Sequence, residues 1–163
     1  MLPTLLLLLA GFQAPDTTRY VVLNHGRPAG ELAVAHSEAN VAVHYAHVDR
    51  NRGRWLASTR ELDGAGATLR FEGRPLDRHG TPTGDAERYD VRGDSAVWSW
   101  GMQRQARPAG DGHVLWPVNR TPFDVALVAR HLLARPNAQG TLLPGGLVSA
   151  TVVADTIVAG GAT

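Results

Sequence analysis

Between residues 19 and 103 the chain alternates apolar and polar side chains in short runs, and turn residues end each run. A two-residue period puts alternate side chains on one face of an extended strand, so it calls for a sheet with one face buried. Val41, Val43, Tyr45 and His47 share such a face. Strands are predicted at 20–23, 31–35, 41–48, 55–62, 67–73, 86–91 and 95–103, seven in all. The breaks between them carry turn chemistry: His25 to Gly30, Ser37 to Asn40, Asp63-Gly64-Ala65-Gly66 and Arg92-Gly93-Asp94. The polar, Pro- and Gly-containing stretch 74–84 reads as a loop. Short strands joined by close turns predict an antiparallel meander.

The pattern changes after Asn119. Thr121-Pro122-Phe123-Asp124 is a helix start, with Thr at the cap, Pro at the first helical position and an acid three residues beyond the cap. Val125, Val128, Ala129 and Leu132 share one helical face. Arg130, His131 and Arg135 suit the negative end of the helix dipole, and Pro136 stops the helix. Strand returns at 142–143, 147–153 and 156–158, with a turn at Pro144-Gly145-Gly146. The expected fold is mainly β: a bent antiparallel meander sheet with one α-helix near residues 122–135 packed on it. A single helix needs an apolar face to cover, which favours a sheet wrapped around it over a flat sandwich.

With 163 residues, 44% of them hydrophobic and 19% charged, the chain is long and apolar enough for one folded domain. That domain is expected over 15–163, and its end at Gly160-Gly161, in mid-pattern, reads as truncation. A formal net charge of +1 gives no reason to expect a nucleic-acid partner. Without Cys there is no disulfide, thiolate nucleophile or Cys metal site. All 16 basic residues are Arg, so a P-loop lysine and Schiff-base chemistry are excluded. Residues 1–14 form a signal-like segment. Their run from Leu5 to Ala10 falls short of the roughly 20 residues that a spanning helix needs. It matches the apolar part of a secretory signal, so the protein is expected to be exported, periplasmic or extracellular, and not membrane-spanning. Phe12 stands after Leu9-Ala10-Gly11 where a lipidated signal has Cys.

No catalytic residue, metal ligand or cofactor site is predicted. The histidines form neither His-x-His nor His-Glu-x-x-His, and His44 and His47 point to opposite faces of a strand. Gly-x-Ser-x-Gly is absent, as is Gly-x-Gly-x-x-Gly opening a helix. Asn119-Arg120-Thr121 fits the glycosylation pattern, but Pro122 follows it and Thr121 serves as a helix cap. Two groups remain as ligand-binding candidates. Arg50, Arg52 and Arg54 in the segment 49–54 either grip an anionic group or decorate a solvated hairpin loop. Trp98 and Trp100 share a strand face, and with Trp55 they either line an apolar cavity or fill an ordinary core.

In order along the chain, several short motifs resemble the region that precedes the catalytic barrel in exported bacterial metal-dependent amidohydrolases. They are Tyr20 to Leu23 with Gly26 and Ala29-Gly30-Glu31, Val43-His44-Tyr45, and the run 49–54. After them come Glu61-Leu62-Asp63 with Gly66, the Trp98 strand, the helix containing Ala126-Leu127 and Leu132-Leu133, and Leu142 to Gly146. The resemblance covers roughly 20–146. It implies an accessory β-rich segment whose partner is a catalytic barrel that this chain does not contain, and no metal ligand carries over. Two other functions are open. One is a stand-alone envelope module that holds an apolar small molecule among the Trp residues in a half-barrel-like sheet. The other is a small hydrolase built on a convergent cluster such as His44, Asp49 and His113.

Overall fold

The computed structural model describes residues 16–50, 52–109, 113–135, 137–153 and 156–161, without the side chains of 152, 153 and 156–161. The signal-like segment, Asn51 and Pro136 lie outside these residues. The protein is mainly β, as the alternation predicts. Eight strands form one antiparallel meander sheet in sequence order: β1 (Asp16–Asn24), β2 (Arg27–Ser37), β3 (Asn40–Asp49), β4 (Arg52–Leu62), β5 (Thr68–Leu76), β6 (Glu87–Arg92), β7 (Ser95–Trp100) and β8 (Gln103–Pro108). A smaller sheet has the order β12-β11-β10-β9, built from β9 (His113–Leu115), β10 (Gln139–Leu143), β11 (Leu147–Val153) and β12 (Thr156–Gly161). The helix α1 (Pro122–Leu133) is the crossover between the parallel strands β9 and β10.

Several boundaries differ from the prediction. The predicted seventh strand is two strands, because the chain turns at Gly101, with φ +56°, and Met102 before β8 begins. The loop expected at 74–84 starts late, since β5 runs on through Arg74, Pro75 and Leu76 in register with β4. The first hairpin turns on His25 and Gly26 alone, both at positive φ, which matches the right-handed twist of its strands. Asp49 pairs with Arg52, so most of the segment read as a loop at 49–54 is strand. At the fourth hairpin the turn is as predicted: the Asp63 carboxylate accepts from the amides of Ala65 and Ala67 at 2.9 and 2.8 Å.

The large sheet has a covered face and an open face. Leu32, Val34, Val41, Val43, Tyr45 and Leu56 form one buried cluster on the covered face. A second cluster joins Phe71, Tyr89, Ala96 and Trp98 of that face to Leu115 and Leu143 of the small sheet. The other face of the small sheet carries Val114, Val148 and Ala150 against Val128 and Leu132 of α1. Expected on the meander sheet, the helix packs instead between that sheet and the smaller one. The small sheet takes much of its apolar face, and its N-terminal end reaches the large sheet through Phe123 and Asp124.

The helix cap follows the sequence pattern. The Asp124 backbone amide donates to the Thr121 hydroxyl at 3.4 Å, and the Asp124 carboxylate accepts from the Thr121 backbone amide at 2.6 Å. The helix ends at Leu133, two residues before the predicted end. Its buried side differs from the predicted face: Val125 is 41% exposed, and Leu127 is buried instead. Leu127 and His131 line a small hollow with Gly66, Ala67 and Thr68 at the β4–β5 turn, a juxtaposition that no helical period can announce.

Candidate functional site

Of the ionisable groups buried under the covered face, Arg60 and Asp124 are tied to each other, and Glu87 is held by neutral N–H donors. The Arg60 guanidinium, 2% exposed, donates to Asp124, also 2% exposed, across the gap between β4 and α1. Its Cζ lies 5.1 Å from the ring centre of Phe71 and 5.3 Å from that of Phe123, so the rings offer π faces to a cation withdrawn from water. The second Asp124 oxygen takes the Thr121 amide and hydroxyl. Glu87, fully buried, accepts from the Trp98 indole N–H and the Val118 amide at 2.8 Å each, and from the Asn119 amide at 3.2 Å. It anchors the segment before the helix to β6. Ser58 Oγ and Arg60 Nε are buried without a hydrogen-bond partner among the described residues.

The open face has a different composition. From β2 to β4 it presents Ala33, Ala35, Ala42 and Ala57, which floor an open hollow of about 400 Å³. Leu76, His44, Glu72 and Arg74 stand around it. From β6 to β8 the same face carries Arg88, Arg92 and Arg104 around a second hollow of about 310 Å³, with Asp90 and Ser99. Glu72 bridges the two regions. Its carboxylate accepts from Arg74 at 2.8 Å and from Arg88 at 3.1 Å. The Arg74 guanidinium holds the Glu72 carboxyl below its ordinary value, Arg88 lowers it further, and partial burial works against both. Burial pushes the Tyr89 phenol up on the covered face.

The structure separates the predicted ligand residues. Trp98 is 1% exposed and fills the core, donating to Glu87. Trp100 packs beside that cluster on the same face. Trp55 is on the open face, between Ala46 and Leu76, with its ring over Gly53. The three indoles do not converge on a shared cavity. Arg50, Arg52 and Arg54 are exposed around the β3–β4 turn, where Arg50 takes φ +47°. His44 is on the open face and His47 stacks on Tyr45 at 6.3 Å on the covered one, the split the odd spacing predicts. His113 belongs to the small sheet, beyond the covered face, so His44, Asp49 and His113 do not gather. Among the described residues no group of three or more His, Asp or Glu is placed to hold a metal, and no helix is long and apolar enough to cross a membrane.

Sequence reasoning passed over the alanine floor. Its signal was present: Ala33, Ala35, Ala42 and Ala57 are out of phase with Leu32, Val34, Val41 and Leu56, so small side chains repeat on the face opposite the core. Fold and site together define a mainly β protein, an eight-stranded meander sheet with a smaller sheet and a helix on one face. Compared with protein-family models, curated proteins and solved structures, the chain matches none.

Proposed function

We propose that this chain is a non-catalytic, β-rich accessory segment of an exported metal-dependent amidohydrolase, acting beside a catalytic barrel encoded further along. The observation that carries the reading is the use of the buried ionisable groups. Arg60, Asp124 and Glu87 hold the helix and its approach against the large sheet, and every carboxylate oxygen of Asp124 and Glu87 accepts from an internal donor. Groups so engaged work as struts rather than as acids, bases or nucleophiles. The residues behind the resemblance fit the same role. Asp63 closes a turn, and Leu127 and Leu132 are buried in α1. A Cβ on Gly30 would meet the Ala46 carbonyl oxygen at 1.9 Å.

The test is to sequence the gene past the codon for Thr163. A continuing frame that encodes His-x-His at the start of a barrel is the expected result. A stop codon directly after Thr163 overturns the accessory reading.

A further inference from the structure

We propose that the open face of the large sheet binds a fatty carboxylate, its chain in the alanine-floored hollow and its head on the arginines of β6 and β8. The argument rests on two adjoining regions of opposite character. In register across the sheet run Ala35, Ala42, Thr59, Glu72, Arg88, Ser99 and Arg104. The row passes from methyl groups to guanidiniums without leaving one face. Neighbouring strands lie about 4.8 Å apart, so along the row Arg88 follows Thr59 by roughly 10 Å and Arg104 follows it by roughly 19 Å, a gap that the long arginine side chain shortens.

The apolar half suits a slender chain. Alanine side chains leave the floor low, and a hollow of about 400 Å³ remains above it. Ala42 and His44 are exposed, so the hollow opens to solvent. The basic half suits an anion. Arg74, Arg88, Arg92 and Arg104 outnumber Glu72 and Asp90 on these two walls. Glu72 is already engaged by Arg74 and Arg88, and Asp90 by Arg92. Arg104 has no ion-pair partner among the described residues and lines the second hollow opposite Ser99. Its planar fork matches a carboxylate through two parallel hydrogen bonds. A neutral apolar ligand would gain nothing from it. This proposal goes beyond the accessory reading and stands whether or not a barrel is encoded after Thr163.

The experiment is calorimetric titration of the 163-residue chain with dodecanoate below its micellar concentration, with dodecanol as the neutral match. Dodecanoate is expected to bind more tightly than dodecanol. Arg104→Ala should weaken dodecanoate about tenfold, the loss of a charge-assisted hydrogen bond, and leave dodecanol unchanged. Ala42→Trp fills the hollow from an exposed position and should abolish binding of both. Circular dichroism of each variant verifies the fold, and both substitutions sit outside the buried clusters. Equal affinity for the two ligands, an unaltered Arg104→Ala, or binding retained by Ala42→Trp would overturn the proposal. Co-sedimentation with phosphatidylglycerol vesicles without binding of free dodecanoate would overturn it as well, because the face would then read a lipid surface.

Discussion

A guanidinium taken out of water needs its charge matched and its faces packed, and Arg60 obtains both from residues distant in sequence. Asp124, 64 positions away, supplies the charge, while Phe71 and Phe123 supply the faces. The net worth of such a pair is small, because desolvation opposes the attraction, yet removing one partner strands the other. Arg60→Met should therefore lower stability by about 3–5 kcal/mol in urea unfolding, as Asp124 is left buried and unpaired. A loss below about 1 kcal/mol would show that Asp124 regains water on removal of Arg60, and the strut role would fail. In the sequence Arg60 is one polar residue on an alternating strand, and nothing local marks it as buried. Its burial comes from the arrival of α1 over β4. Asp124 was legible as a capping residue, but its second role as the Arg60 partner was not.

At the scale of elements, local chemistry carries most of the outcome. The capping box at Thr121, the turn at Asp63 and the phase of each strand are written in neighbouring residues. What local chemistry leaves open is the second contact of each element. Leu127 and His131 show this for the helix, since both line a small hollow with the β4–β5 turn. His131 Nε2 lies 2.9 Å from an Arg135 guanidinium N–H, so that nitrogen accepts. Burial lowers the His131 pKa below its ordinary 6.5, Arg135 lowers it further, and Asp63 partly opposes them. The unfolded chain then takes up this proton before the folded one does. Its contribution to stability is present in full above 6.5 and is lost as pH falls through the depressed folded value. Urea unfolding on either side of that pH should show weaker folding on the acid side, and His131→Gln should flatten the difference. An identical pH profile in His131→Gln would assign the effect elsewhere.

At the scale of the molecule, the two sheets share one cluster, in which Leu115 and Leu143 join Phe71, Tyr89 and Trp98. Trp98 also reports on the small sheet's approach through Glu87 and the Val118 amide. The sheets are therefore expected to unfold together, with tryptophan fluorescence and far-ultraviolet circular dichroism giving coincident transitions in urea. Two separated transitions would mean that the shared cluster does not couple them. The edges of the large sheet also differ. β8 is exposed throughout and carries Arg104, Arg107 and Pro108, which discourage further pairing. β1 exposes Val21 at 67% and Leu23 at 60%. By itself the sequence determined the strand periodicity, most turns, the helix with its cap, and the mainly β class, because these depend on neighbours within a few positions. It also placed Trp98 and Trp100 on one face. Only the tertiary structure decided that this face is the covered one, that Trp55 lies on the other, and that Arg60 meets Asp124. A two-residue period states that a strand has two unlike faces, but what packs on each is settled by residues far along the chain. The alanine floor and its arginine neighbours belong to that second kind of fact. They come from separate strands, and only the register of the sheet sets them side by side.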